Sequence, residues 1–216
     1  MKYLHHIKRT AFTMIELIFV IIVIGILAAL ALPRLDRDSR QEAADNILSA
    51  IRYTQQLALL DNKTSTKNDW QKRLWAIRFT GGSDSYYTVG TDDNNNSSIS
   101  KYETAVDPAN GKYFFNSSGV FANIAADESP NIFLGYKYGI NSMNFTGGCS
   151  NTQKHVAFDH LGRPFNGIGS AGWNYAKIMY SDCSIVFGFS DNSITDLNIT
   201  IEKQTGHAYI VGQPNS

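Results

Sequence analysis

Cysteine is scarce: 216 residues hold only Cys149 and Cys183, and no CxxC occurs. That spacing excludes a thioredoxin-like redox pair and a cysteine-rich zinc site. Phosphate-loop and G-x-S-x-G signatures are also missing. The sole His/acid cluster is His155, Asp159 and His160. On a strand the first two share a face and the third points away, so they do not converge as metal ligands or as a base pair. No enzymatic activity is expected from these residues. Neither sign of charge is in excess, with 19 Lys+Arg against 19 Asp+Glu. No basic patch follows a phosphate backbone, which argues against direct nucleic-acid binding. No internal repeat is evident.

What the chain does have is a long apolar run. Phe12 to Leu32 is 21 residues, polar only at Thr13 and Glu16. Such a helix is about long enough to cross a ~30 Å hydrocarbon core. Lys2, Lys8 and Arg9 precede it without an acid, so the positive-inside rule keeps the leader in the cytoplasm. After Pro33 the charges are mixed, Arg34, Arg37 and Arg40 against Asp36, Asp38 and Glu42. Glu16 is out of place in this run. A carboxylate at a membrane-helix centre costs about 2.5–3.5 kcal/mol, which points to a partner for it. A secretory signal peptide is the competing reading, with Ala29-Leu30-Ala31 as its small-residue site. The apolar run exceeds the usual ~7–15 residues of that class, and an early acid does not suit it.

The residues A-F-T-M-I-E-L-I-F-V (11–20), followed by G-I-L-A-A-L-A-L-P (25–33), resemble the prepilin-type signal of type IV pilins and type II secretion pseudopilins. The resemblance implies cleavage between Ala11 and Phe12 by a prepilin peptidase and N-methylation of Phe12. It makes Glu16 the fifth residue of the mature chain, the family's assembly acid. Ala11 departs from the usual Gly before the cut. Cleavage frees an α-amino group, cationic at neutral pH. Brought beside Glu16 of a neighbouring subunit, each charge offsets the other's desolvation.

From Asp36 to Leu60 the pattern turns amphipathic, with Ala44, Ile47, Leu48, Ile51 and Ala58 on one side. Joined to the apolar run, this predicts one helix of about 49 residues, kinked or loosened at Pro33. Its stripe needs a cover, so the expected fold is α+β: a long N-terminal helix, transmembrane in its first half and amphipathic in its second, packed on an antiparallel β-sheet domain of the type IV pilin kind. The predicted parts are a leader (1–11), a transmembrane and assembly helix (12–35), an amphipathic half (36–60) and a β-rich globular domain (61–216). Strands are predicted around Trp75–Phe79 and Tyr86–Val89, with a turn at Gly81-Gly82. Others are Lys112–Phe115, Ile132–Ile140, Lys154–Phe158, Ile178–Ser181, Ser184–Phe189, Leu197–Glu202 and His207–Val211. F-D-H-L-G-R-P (158–164) and the closing T-G-H (205–207) resemble the end of H-type minor pseudopilins, with His207 where that group has Arg.

An exported domain favours a Cys149–Cys183 disulfide, two separate buried thiols being the alternative. Asp92, Asn94, Asn96 and Glu103 match EF-hand ligand spacing for calcium, but Ser97 stands where Gly is needed and no helical pattern flanks the loop. A solvated Asn-rich loop is the preferred reading, and no cofactor is expected. Asn95 and Asn198 each open an Asn-x-Ser/Thr glycan pattern. The Gly-rich run 162–172 reads as a connection between strands. The resemblance thus implies a minor pilin or pseudopilin in a type II secretion, type IV pilus or DNA-uptake filament. It would be single-pass in the inner membrane with a periplasmic domain. Its partners would be other pilins or pseudopilins of the filament, the prepilin peptidase and an inner-membrane assembly platform. The alternatives are a secreted periplasmic β-domain binding protein and a membrane-anchored adhesin.

Overall fold

Helix α1 runs Met14–Leu60 and passes from one unit of the chain, residues 1–38, into a second, residues 39–216. The computed structural model describes residues 13–67, 69–96, 98–167 and 177–213, without the side chains of 29–38. Within the second unit, α1 buries Ala43, Ala44, Ile47, Leu48, Ile51 and Ala58, the i, i+3, i+4 stripe of an amphipathic helix. Each fully buried Ile contributes about 1.5–3 kcal/mol relative to exposure. Thr54 continues the buried stripe, its hydroxyl donating to the Ala50 carbonyl at 2.7 Å.

The cover is two sheets, not the one expected. Sheet 1 has the order β2-β1-β4-β5 and sheet 2 the order β3-β6-β7-β8. The strands are β1 Trp75–Thr80, β2 Tyr86–Gly90, β3 Ile140–Gly147, β4 His155–Phe158, β5 Pro164–Phe165, β6 Cys183–Phe189, β7 Leu197–Ile201 and β8 Ala208–Ile210. Every pairing is antiparallel. In sheet 2 the alternation is clean. Ile185 and Phe187 of β6, Leu197, Ile199 and Ile201 of β7, and Ala208 and Ile210 of β8 all enter the core. Asn198 and Thr200 of β7 lie on its other face. Sheet 1 sends Ile77, Phe79, Tyr87, Val89, Val156 and Phe158 into that same core. Its other face carries a small second cluster of Trp70, Leu74, Ala76, Ala157 and Phe165.

Three strand expectations change. Residues 130–138 form a 3-10 turn, Pro130–Ile132, and a short helix α2, Leu134–Tyr138. Ser129 starts the turn by accepting from the Asn131 amide. Gly139 stops α2 in the left-handed region, at φ 74°. Ile132, Phe133 and Leu134 are consecutive and all buried, so the period-two pattern of a strand is absent. The strand starts instead at Ile140. It was hidden because a bulge between Ile140 and Ser142 breaks its alternation. Around Lys112–Phe115 and Ile178–Ser181 only isolated bridges form, at Tyr113 and Ile178.

The transmembrane half of the expected fold is also corrected. Among the described residues no helix is long and apolar enough to cross a membrane. The apolar residues of α1 begin at Met14. Glu16 lies within them, and beyond Leu32 the helix becomes charged. The single-pass inner-membrane placement is withdrawn with it.

Candidate functional site

The surface that stands out is the start of α1. Met14 is 86% exposed, Ile15 74%, Phe19 68% and Leu27 61%. No face of this segment is spared, since Leu17, Ile18, Ile21, Ile22 and Ile26 are also exposed. An apolar patch this continuous marks an interaction surface. A helix apolar all round belongs in an interior.

Glu16 is the one acid of the surface. It sits at the third helical position, with Thr13 as the N-cap residue. The Thr13 amide donates to Glu16 Oε2 at 3.5 Å, and the Glu16 amide donates to Thr13 Oγ1 at 3.3 Å. This reciprocal pair is a capping box, and an acid in the first turn also meets the positive end of the helix dipole. The sequence signal was T-x-x-E at 13–16, overlooked because the membrane argument absorbed Glu16. Ala11 and Phe12, the expected cleavage and methylation positions, lie outside the described residues. Pro33 falls within the helical span of α1, and its side chain lies outside the description.

The other sequence candidates belong to the second unit. Cys149 and Cys183 are joined as a disulfide, Cα–Cα 5.1 Å. It ties the turn after β3 to the first residue of β6, beside the Gly147–Cys183 register pair. The calcium-spaced residues are instead spent on backbone amides. Asp92 Oδ1 and Asn94 Oδ1 both accept from the Asn96 amide, at 2.9 and 3.0 Å. Asn96 Oδ1 accepts from the Ser98 amide. Glu103 accepts from the amides of Asn94 and Ser100, which hold its carboxyl below the ordinary range even against the opposing effect of desolvation. Among the described residues no group of three or more His, Cys, Asp or Glu is placed to hold a metal. Asn95 donates through Nδ2 to Asp69 at 3.0 Å, and Asn198 accepts from the Ser184 hydroxyl at 2.8 Å on β7.

His155, Asp159 and His160 do not converge. Asp159 is fully buried and pairs with Arg163 at 2.6 Å. It also accepts the Leu161 and Arg163 amides, closing a turn. His160 meets the Thr64 hydroxyl at 3.2 Å. His155 is 4% exposed. Burial first, then the nearby Arg78 and Lys177 charges, push its pKa down to about 4.

The two C-terminal motif fragments do meet. Gln55 of α1 donates through Nε2 to the Gly162 carbonyl at 2.9 Å and to the Thr205 carbonyl at 2.7 Å. Gly206 has φ +68°, and a Cβ there would collide with the Gly162 carbonyl. Glycine is required at this crossing for both reasons. His207, in place of the pattern's Arg, stacks on Tyr209 with ring centroids 5.9 Å apart.

A cleft of about 510 Å³ opens beside the second half of α1, with Glu42, Asp45, Asp107, Tyr53, Tyr87 and Tyr138 in its wall. Asp107 Oδ2 accepts from Ser129, Asn110 and Asn131 at 2.5–2.9 Å, so this buried oxygen has its hydrogen-bond partners. Burial, then the adjacent Glu42 carboxylate, pushes the Tyr138 phenol up to about 12. Burial, then Asp107, raises Tyr87. These phenols stay protonated at neutral pH and offer hydrogen-bond donors, not nucleophiles. No sequence motif announced this cleft, whose wall is assembled from α1, β2, α2 and the loop around Asp107.

No family model matches the chain, and neither a curated protein nor a solved structure is found similar to it.

Proposed function

We propose that this chain is a structural subunit of a type IV pilin-like or type II secretion pseudopilin-like filament, in a minor position. The observation that carries the reading is the all-round apolar exposure of Met14–Leu27 around a single carboxylate, Glu16. The stripe at 43–58 is already covered by the chain's own sheets. The surface at 14–27 has no cover among the described residues. Equivalent helices of neighbouring subunits are the cover proposed here. Bundling buries aliphatic area worth about 25 cal/mol per Å². It also sets a cationic Phe12 amine against Glu16, where each charge offsets the other's desolvation. The capping box gives Glu16 a second task, holding the first helical turn in shape for that contact. The prepilin-type residues from Ala11 to Pro33 support the same reading. The partners it implies are related subunits, a prepilin peptidase and an assembly platform. The second unit, with its two sheets, gives the subunit its distinguishing outer surface.

The test is the N-terminal residue of the mature chain, determined by mass spectrometry on protein from its native host. A chain beginning at N-methylated Phe12 is expected. One beginning at Leu32 has lost the assembly surface and contradicts the proposal.

A further inference from the structure

Asparagine followed by glycine occurs twice, at Asn110-Gly111 and Asn166-Gly167. In such a pair the glycine nitrogen can attack the asparagine side-chain carbonyl carbon, because no Cβ on the glycine shields it. The fold treats the two pairs differently. Gly167 is buried, and a Cβ built on it would strike the Gln153 and His155 side chains. A five-membered ring closing between Asn166 and Gly167 has no room to form there. Asn110 and Gly111 are both exposed, and nothing stands within 4 Å of a Cβ built on Gly111. The Lys112 amide donates to Asn110 Oδ1 at 2.9 Å. This turn folds the side chain back over the Gly111 peptide. The same N–H polarises the carbonyl and steadies its oxygen as negative charge develops under attack. Nδ2, the leaving nitrogen, donates to Asp107 Oδ2 and to Ser129 Oγ, both at 2.9 Å. The contact opposing attack is the Gly111 amide's bond to the Asp107 carbonyl, at 2.8 Å. It lies in an exposed loop, where such bonds open locally at little free-energy cost.

We propose that Asn110 is a deamidation site of the folded chain and that the fold protects Asn166. The Gly111 nitrogen gives its proton to hydroxide and bonds to Asn110 Cγ. The Cγ–Nδ2 bond breaks, and the departing nitrogen takes a proton from water and leaves as ammonia. Water then opens the cyclic imide at either carbonyl, giving aspartate or isoaspartate. The sum is one water consumed and one ammonia released, with no change of oxidation state. The product has a carboxylate where Nδ2 had donated to Asp107, a residue only 3% exposed. Two carboxylates sharing one site repel. Ser129 and Asn131, at the turn Pro130–Ile132, hold the same Asp107 oxygen, so the modification loosens this wall of the cleft. It goes beyond filament assembly and does not depend on it.

The experiment ages the full chain in warm, mildly alkaline buffer, folded and in urea, and follows both asparagines by peptide mass spectrometry. Each conversion adds about 1 Da and yields an isoaspartate fraction. Folding should raise the ratio of Asn110 to Asn166 conversion at least tenfold over its value in urea. Asn110→Gln should remove the signal at that position and leave Asn166 unchanged. Asn110→Asp reproduces the product. It should speed amide exchange at Gly111 and Asn131 tenfold or more, while β6 and β7 exchange as in the parent chain. The proposal is overturned if the folded chain keeps Asn110 intact over the time in which urea converts it, or if folding leaves the ratio unchanged. Unchanged exchange at Gly111 and Asn131 in Asn110→Asp overturns the loosening of the cleft wall.

Discussion

Helix α1 contains two solutions to one problem, and they differ in where the cover comes from. Residues 39–60 are apolar along one stripe, and that stripe is buried. Residues 14–28 are apolar on every side and exposed on every side. A periodic stripe fits a partner lying along one face, here the chain's own sheets. All-round apolarity fits surroundings on all sides, which no single sheet supplies. The pattern, not the total hydrophobicity, therefore separates the stripe covered within the chain from the surface that the proposed function assigns to neighbouring subunits.

Paired truncations probe that contrast most strongly. Ile51→Ala in the buried stripe is expected to destabilise residues 39–216 by about 2–5 kcal/mol, the range for cavity-forming core truncations, read by urea denaturation. A loss below about 1 kcal/mol would show that the stripe is not packed as described. Replacing Cys149 and Cys183 together by Ser should cost about 3–4 kcal/mol through the reopened loop, measured the same way. Helicity in residues 14–28, followed by NMR, should stay unchanged.

A pH series sharpens the picture of the packed unit. His155 has its folded pKa, about 4, below its unfolded value near 6.5. Between these values the unfolded chain binds more protons, so stability falls as pH falls. The loss amounts to about 3 kcal/mol at most, and it is absent above pH 6.5. His155→Leu should flatten that part of the slope relative to the parent chain. Parallel slopes in the two proteins would mean that His155 is accessible to protonation in the folded state. The smallest expected effect is Ile21→Ala on the exposed segment. It should change stability by less than about 0.5 kcal/mol while reducing incorporation into filaments. A large stability loss there would mean that the segment already has a cover within the chain.

Much of this was legible in the sequence because it is periodic. The stripe Ala44–Ala58 and the alternation of β1, β6, β7 and β8 follow from single-residue patterns. The disulfide pairing followed from the inferred oxidising compartment. Elements that depend on tertiary context were not legible. Ile132–Ile140 reads as a strand because its apolar density suits either a strand or a buried helix; Ser129 caps a turn at its start and Gly139 ends a helix near its close. Strand β3 was missed because its bulge shifts the phase of its alternation. That the strands divide into two sheets depends on pairing partners distant in sequence. At the N-terminus, the capping role of Glu16 was readable from Thr13 onward but competed with the membrane argument.

Glu16 also provides the decisive measurement. Gln can complete a capping box as Glu does, but it carries no charge. Filament incorporation should therefore be compared for the parent chain, Glu16→Gln and Glu16→Leu, with helicity of residues 14–28 checked in each. If the carboxylate is half of an intersubunit charge pair, Glu16→Gln keeps the helix and loses incorporation tenfold or more, as Glu16→Leu does. If Glu16→Gln assembles as well as the parent chain, Glu16 only caps the helix and the proposed assembly mechanism is wrong.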